Sequence, residues 1–238
     1  MLFLTIFAII YTMTGSFSDA YQMNNCSQVH LQTNPMVNLT EYFRASWYVQ
    51  QQQVNGYQNI NDLYCVVATY DLNNNTHVPF FSGDVVSVFN YANSGRVNGP
   101  PMGYIMPGTN GSFSNATTLC GRVYNRSQPE RLAVAPCFLP NLFAGPYWIL
   151  SAGPSPSHYE WAIVIGGQPS VHMENHTCTT AESGINGSGL WLFSRNQTLQ
   201  EVDLMYLHRV LEYHNVSTSL LHNVSQSGCN YTGAFIKH

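Results

Sequence analysis

Charged residues are scarce in this 238-residue sequence. It has 8 Lys and Arg and 12 Asp and Glu, so charged residues make up 8% of the chain and the formal net charge is −4. A nucleic-acid-binding surface and a polybasic membrane surface both require a cluster of cations, and this composition has too few to build one. We therefore expect no nucleic-acid partner.

Long apolar runs are also missing. The segment from Leu2 to Ile10 is apolar, but a membrane-spanning helix needs about 20 such residues. Its length, and the small residues in Ser18-Asp19-Ala20, are typical of a secretory signal peptide and its cleavage site; the alternative is a buried N-terminal strand. We expect residues 1–20 to be removed and residues 21–238 to form a single secreted, extracellular domain without stable membrane insertion.

Glycans are predicted to supply the solubility that charge does not. The sequence contains twelve Asn-x-Ser/Thr acceptor sites, a number typical of a secreted glycoprotein. Because a bulky sugar cannot be buried, each acceptor is expected on the surface. The sites are Asn25, Asn38, Asn74, Asn110, Asn115, Asn125, Asn175, Asn186, Asn196, Asn215, Asn223 and Asn230.

Cysteine usage fits the same compartment. All six cysteines follow the predicted signal peptide, and an even number in an oxidising environment predicts three disulfides. Their spacing alone leaves the connectivity open. Without a Cys-x-x-Cys pair, we expect no metal site built from them. They are Cys26, Cys65, Cys120, Cys137, Cys178 and Cys229.

Short runs of β-branched and aromatic residues recur between Gly, Pro and Asn clusters, which favours an all-β sandwich or barrel. Eight strands are predicted, over residues 47–50, 64–72, 85–91, 119–124, 131–137, 147–151, 159–165 and 189–194. One amphipathic helix follows, over residues 198–214, with Thr198 and Glu201 as a capping box. Its apolar face is predicted to include Leu199, Val202, Met205, Tyr206, Val210 and Tyr213, and residues 215–238 to form an irregular tail.

Three segments resemble the lipocalin family, in the group around apolipoprotein D and the bilin-binding proteins. Residues 38–48 (NLTEYFRASWY) are similar to the Gly-x-Trp-Tyr first-strand motif, with Ala45 in place of Gly. Residues 145–150 and 159–164 are similar to a pair of adjacent strands, here with a longer Gly-Pro-Ser-Pro-Ser loop between them. Residues 190–195 are similar to the last strand with its closing Arg.

The resemblance covers about residues 38–213 and implies an eight-stranded antiparallel up-and-down β-barrel with one C-terminal helix packed outside. It implies that Trp47 and Arg195 close one end of the barrel. It also implies disulfides between Cys26 and Cys178 and between Cys65 and Cys229. Cys120 and Cys137 remain and bracket the turn at residues 125–130, so they are placed to join the strands on either side.

The resemblance further implies a small hydrophobic ligand, such as a retinoid, bilin, sterol or fatty acid, held inside the barrel. Alternation from Arg195 places Trp191 and Phe193 on its face, and Ala68 and Tyr70 share a face of another strand. One residue of the pair Tyr147 and Trp148 is expected to add a wall. The predicted ligand contacts are Tyr70, Trp191, Phe193, Ala68, Tyr147, Trp148 and Trp161.

Signals for catalysis are weak, and no cofactor is predicted. No nucleophile elbow, phosphate loop or zinc-protease motif is present. Glu174 and Glu182 are isolated acids, and the pair His172 and His176 flanks the Asn175 acceptor site, which favours a solvated loop with surface histidines. A lipocalin-fold enzyme acting on a lipophilic substrate and a glycosylated interaction protein without ligand remain the two alternatives to a carrier. No protein partner is predicted.

Overall fold

The computed structural model describes residues 26–72, 76–104, 106, 118–184 and 187–238. The predicted signal peptide therefore lies outside the described residues, as do the acceptor sites Asn25, Asn74, Asn110, Asn115 and Asn186. Neither α-helix in this part of the chain has the length and apolar character of a membrane span.

Twelve strands and two α-helices follow one another in the described part of the chain. The helices are α1 (Leu39–Tyr42) and α2 (Glu201–Tyr213). The strands are β1 (Trp47–Gln53), β2 (Tyr64–Asp71), β3 (Asp84–Asn93), β4 (Pro101–Gly103), β5 (Leu119–Val123), β6 (Arg131–Pro136), β7 (Gly145–Ser155), β8 (His158–Ile165), β9 (Val171–His172), β10 (Cys178–Thr179), β11 (Leu190–Ser194) and β12 (Leu221–Asn223).

Eight of these strands form a closed antiparallel barrel, as the sequence predicts. Neighbours run in the order β1, β2, β3, β5, β6, β7, β8 and β11, and β11 pairs with β1 to close the sheet. The eight predicted strands correspond to these eight, although their ends differ by several residues. Because side chains alternate between the two faces, one set of apolar residues fills the interior and another faces the helix.

The connection between β7 and β8 is shorter than predicted. β7 continues to Ser155 and β8 begins at His158, so only two residues form the turn. The Gly-Pro-Ser segment belongs to β7 and pairs with β8, with Gly153 opposite Trp161. The expectation of a long loop was wrong because a register irregularity between Gly153 and Pro154 accommodates these residues within the strand.

Helix α2 packs on the outside of the barrel through only part of the predicted face. Leu207 and Leu211, which are not in the predicted set, are buried against the outer side of β7, β8 and β11. Val210 of the predicted face packs against the same cluster, whereas Val202, Met205 and Tyr213 are 65%, 52% and 84% exposed. The buried stripe therefore runs through the two leucines rather than through Met205 and Tyr213.

The start of α2 also differs from the prediction. Gln200 is the N-cap, without a side-chain hydrogen bond, so Thr198 and Glu201 do not form a capping box. Glu201 and Asp203 lie in the first turn, where the helix dipole favours negative charge.

The segment after α2 is not an irregular tail, which corrects the prediction. β12 pairs with β1, and Ser225 forms a bridge to Tyr64 of β2. Beyond these pairs, Nε2 of the buried Gln226 donates to the carbonyls of Val49 and Val66, each at 2.7 Å. β1 and β2 pair directly only at Trp47 and Tyr48. Beyond Tyr48, the C-terminal segment lies between the two strands.

The last residues cross the closed end of the barrel. Nζ of Lys237 donates to the carbonyls of Phe43 and Tyr70, both at 2.9 Å, and the amide of Ser46 donates to the Lys237 carbonyl. The tail is thereby fixed to α1, β1 and β2.

All acceptor asparagines of the described residues are exposed, in agreement with their expected place on the surface. They are Asn38, Asn125, Asn175, Asn196, Asn215, Asn223 and Asn230.

Candidate ligand cavity

One end of the barrel is closed by Arg195 and Trp47. The guanidinium carbon of Arg195 lies 3.4 Å from the centroid of the Trp47 ring. The guanidinium donates to the carbonyls of Tyr42 at 2.9 Å, of Glu41 and Ser46 at 3.1 Å each, and of Ala45. Burial lowers the pKa of Arg195 to about 10, which leaves the group charged at physiological pH. These contacts seal the floor through a buried cation bound to backbone carbonyls.

Helix α1 plugs the same end. Tyr42 and Phe43 are fully or almost fully buried, and the Trp47 indole donates to the Tyr42 carbonyl at 3.0 Å. The backbone of Ala45 does not have a positive φ, so Ala can replace the family's Gly here without a left-handed conformation. The motif therefore tolerates Ala at this position.

Above this floor lies an interior cavity with a volume of about 580 Å³. Its wall is formed by inward side chains of β1, β2, β3, β5, β6, β7 and β11, and loops border the other end. Among the described lining residues, Asp62 is the only one that carries a charge. Its two carboxylate oxygens accept from Asn59 and Ser94 at 2.6 and 2.8 Å. The rest of the lining is predominantly apolar and aromatic.

Five of the predicted contact residues line this cavity together. They are Ala68, Tyr70, Tyr147, Trp191 and Phe193. Phe193 also stacks on Trp47, with ring centroids 6.1 Å apart, which joins the wall to the floor.

Trp148 and Trp161 do not line the cavity, so the wall expected from the pair Tyr147 and Trp148 is supplied by Tyr147. Tyr147 points inward, and its neighbour Trp148 therefore points outward, where Arg131 lies 4.6 Å from its ring centroid. Trp161 faces α2 and packs edge-on against Tyr206 at 5.4 Å. Strand alternation decides both cases.

A chain of amides at the cavity wall was not predicted. Gln58 donates through Nε2 to the Asp62 carbonyl at 3.0 Å, and its Oε1 accepts from Nε2 of Gln52 at 3.0 Å. Because the Asp62 carbonyl can only accept, the Gln58 side chain must present its NH₂ group to it. Oε1 of Gln58 then faces Gln52, which must present its own NH₂ group. Oε1 of the fully buried Gln52 is left without a partner among the described residues.

The signal for Gln52 was present in the sequence as the run from Gln50 to Gln53. Simple alternation from the inward Trp47 and Val49 places Gln51 inside. A register shift between Val49 and Gln51 instead turns Gln52 inward. A β-bulge of this kind has no characteristic amino-acid composition, so its position could not be predicted from the sequence.

Tyr57 was also missed. It lines the cavity although it is 69% exposed. A lone tyrosine in a turn gives no signal in a sequence.

Three tyrosine hydroxyls meet at the inner end of the cavity. The hydroxyl of Tyr147 lies 2.8 Å from that of Tyr42 and 2.7 Å from that of Tyr70. Burial raises the pKa of all three phenols, those of Tyr42 and Tyr147 well above the ordinary value. All three are therefore neutral hydrogen-bond donors and acceptors at physiological pH. We refer to Tyr42, Tyr70 and Tyr147 as the tyrosine triad.

Cys26 pairs with Cys178 and Cys65 with Cys229, as the resemblance implies, and the remaining Cys120 and Cys137 pair across their turn. His172 lies beside the first bridge, with Nδ1 4.0 Å from Sγ of Cys26 and 3.9 Å from Sγ of Cys178. These three side chains form a compact group of potential metal ligands. Because metals bind the thiolate and both sulfurs are in a disulfide, the group does not suit a metal.

The remaining histidines, including His208 and His214, are expected on the surface from the sequence, but His208 of α2 contacts the barrel. His208 is half-buried, and its Nε2 lies 2.6 Å from Oε1 of Gln51 on β1. Burial lowers the pKa of His208, and it lowers that of the half-buried His214 as well. His176 in the β9–β10 connection is exposed, as are Glu174 and Glu182.

No protein-family model and no curated protein matches this sequence. Solved structures do match its fold. Apocrustacyanin C2 superposes with a TM-score of 0.53 at 16% identity, over 88% of this chain and 94% of that chain. Lobster apocrustacyanin A1 gives a TM-score of 0.51 at 16% identity over the same shares. Apocrustacyanin C1 gives 0.50 at 17% identity, over 87% and 92%.

The crustacyanins are lipocalins, and their superposition extends over nearly the whole of each chain. The closed barrel of eight antiparallel strands, its single C-terminal helix and the sealed floor agree with that likeness. This chain therefore has the lipocalin fold.

Proposed function

We propose that this chain is a secreted glycoprotein that carries a small hydrophobic ligand inside its barrel. The observation that carries the proposal is the cavity of about 580 Å³, sealed at one end by Arg195 and Trp47. Protein sites for small molecules typically have volumes of about 300–1,000 Å³ and apolar walls with few polar groups. A lipophile of retinoid, bilin, sterol or fatty-acid size matches this cavity in volume and polarity.

Secretion and glycosylation form the second part of the proposal. It is supported by the signal-like residues 1–20, by three disulfides and by the exposed acceptor asparagines. Mass spectrometry of the protein released by transfected cells tests it. We expect a mature chain that begins near Tyr21 and loses mass with an N-glycosidase; retention of residues 1–20 would contradict the proposal.

The ligand contacts are assigned to Tyr70, Tyr147, Trp191, Phe193 and Ala68. Trp191 supports this assignment best, because its ring is only partly buried and belongs to the wall of the cavity. An aromatic ring of this size contributes a large apolar contact area to a bound lipophile.

Titration calorimetry with one retinoid, one bilin, one sterol and one fatty acid tests the carrier function directly. At least one class should bind with one ligand per chain, and Trp191→Ala should weaken that binding by at least tenfold. Trp161→Ala is the matched control, because Trp161 lies outside the cavity, and it should leave affinity unchanged. Calorimetry is used instead of tryptophan fluorescence because Trp191→Ala would itself remove a fluorescent residue. Absence of binding by all four classes would overturn the carrier function.

An enzymatic role through a thiol finds no support in this arrangement. Cys65, which directly precedes the cavity-lining Val66 in the sequence, is bonded to Cys229, and all six cysteines are in disulfides. The acid at the cavity, Asp62, has both carboxylate oxygens hydrogen-bonded.

A further inference from the structure

The tyrosine triad has one hydroxyl proton more than it has internal hydrogen bonds. Three phenols supply three O–H donors, and the two contacts of Tyr147, with Tyr42 and with Tyr70, use two of them. Among the described residues, no other hydrogen bond of these three hydroxyls is present. Whichever way the protons are arranged, one donor is left, and a buried donor without an acceptor costs about 1–3 kcal/mol.

That donor belongs to a group which borders the cavity. Tyr70 and Tyr147 line it, whereas Tyr42 lies behind them on the floor. An acceptor that enters the cavity from its open end therefore meets the triad at the inner end. From this geometry we infer that the cavity selects a neutral lipophile with a carbonyl oxygen at its leading end, which accepts the spare triad proton. The inference rests on the proposed carrier function and specifies its ligand class.

A carboxylate at the same place is disfavoured. Arg195 and Lys237 are cations at the floor, but both are directed at backbone carbonyls: Arg195 at those of residues 41, 42, 45 and 46, and Lys237 at those of residues 43 and 70. The charged residue of the described lining, Asp62, is an anion. An unpaired carboxylate in an apolar cavity pays a large desolvation penalty, whereas a neutral carbonyl pays a small one.

The protonation state of the triad agrees with this choice. Burial raises the phenol pKa values, so the three groups act as neutral donors rather than as phenolates. A neutral donor binds a ketone or aldehyde oxygen without any change of charge.

Three naphthalenes of one shape and size test the inference. 2-Acetylnaphthalene carries a ketone, 2-naphthoate a carboxylate and 2-ethylnaphthalene neither, and all are small enough for the cavity. One hydrogen bond contributes about 0.5–1.5 kcal/mol, so calorimetry should show the ketone binding roughly two- to tenfold tighter than the hydrocarbon. The carboxylate should bind most weakly.

The double variant Tyr70→Phe/Tyr147→Phe removes both hydroxyls that border the cavity. It should bind the ketone and the hydrocarbon equally. Tyr91→Phe is the control, because it removes a buried phenol hydroxyl outside the triad, one that donates to the Thr232 carbonyl at 3.1 Å. It should keep the wild-type preference.

Infrared difference spectroscopy supplies a measurement on the wild-type protein alone. The carbonyl stretch of bound 2-acetylnaphthalene should lie below its frequency in hexane, as for a hydrogen-bonded ketone. A stretch at the hexane frequency, equal affinity for ketone and hydrocarbon, or failure of the ketone to bind would each overturn the inference. Equal affinity for all three probes would still leave a carrier. The proposed carrier function would instead be overturned by the failure of all four lipid classes to bind.

Discussion

The guanidinium of Arg195 covers the ring of Trp47 at 3.4 Å and at the same time binds four backbone carbonyls of the chain that leads into β1. One side chain therefore joins the end of the last barrel strand to the beginning of the first. The cation–π contact and the hydrogen bonds act on the same charged group, which is held away from water.

Arg195→Ala should destabilise the barrel strongly. The variant leaves buried carbonyls without donors and uncovers the indole, and we expect a loss of roughly 2–4 kcal/mol in the free energy of unfolding. Urea denaturation followed by circular dichroism measures it. The control Arg126→Ala removes an exposed ion pair with Asp84 and should leave the free energy of unfolding nearly unchanged. Equal losses in the two variants would contradict the closing role.

Alkaline pH should destabilise the protein through the tyrosine triad. Unfolded phenols lose their proton near pH 10, whereas burial raises the folded pKa values above that, so the folded state holds more protons in this range. The free energy of unfolding should therefore be independent of these groups below pH 10 and should fall as pH rises above it. Arg195, with a folded pKa of about 10, opposes this decline but is one group against three.

Chemical denaturation at pH 9, 10 and 11 tests this dependence. The decline should be shallower in Tyr70→Phe/Tyr147→Phe, which retains only one buried phenol of the triad. A wild-type stability that rises between pH 10 and pH 11 would show that the tyrosines do not dominate.

The buried side chains of α2 should account for most of what this helix contributes to the free energy of unfolding. Leu207 and Leu211 are 1% and 0% exposed, and truncation of such a leucine to alanine costs about 2–5 kcal/mol. Met205→Ala and Tyr213→Ala, on the exposed stripe, should change the free energy of unfolding by no more than about 0.5 kcal/mol. Thermal and urea unfolding of the four single variants separate the two faces. A larger effect at Met205 than at Leu207 would reverse the assignment.

Filling the cavity should separate binding from folding. Ala68 lines the cavity, and Ala68→Phe places a ring in its volume of about 580 Å³. We expect the affinity for the best ligand of the panel to fall at least tenfold while the free energy of unfolding changes by less than about 1 kcal/mol. Ala68→Val is the smaller control and should bind nearly as the wild type does. Undiminished binding in Ala68→Phe would place the ligand elsewhere.

Removal of the long-range disulfides should weaken the fold more than removal of the short one. The bridge between Cys65 and Cys229 spans 164 residues and that between Cys120 and Cys137 spans 17. Because a longer loop loses more entropy when it is closed, the pairwise replacement Cys65→Ala/Cys229→Ala should cost about 1–2 kcal/mol more than Cys120→Ala/Cys137→Ala. Urea unfolding of both double variants gives the comparison, and the reverse order would show that strain or residual structure outweighs loop length.

The sequence predicted the barrel well because its information is local and repeated. Strands such as β5 and β8 are short apolar runs between turn residues, and Trp47 and Arg195 lie in recognisable motifs. Alternation then correctly placed Trp191 and Phe193 on one face. It could not choose between Tyr147 and Trp148, because only the pairing of β6 with β7 settles which of two adjacent aromatics points inward.

Other parts depended on contacts between residues far apart in the chain. The inward position of Gln52 follows from a register shift against β11, and the buried face of α2 depends on which of two stripes meets the wall. The role of residues 221–237 depends on a gap between β1 and β2 that is absent from any local pattern. Each of these requires the packed barrel before it can be recognised.

The seam between β1 and β2 has a consequence for biosynthesis. Its gap is occupied by Ser225 and Gln226 and is locked by Cys229, so the first two strands of the barrel complete their hydrogen bonding through a segment that is translated long after them. The emerging chain cannot seal this seam before residues 225–229 have been made. The contact between the two strands is therefore completed only after all eight strands of the barrel have been synthesised.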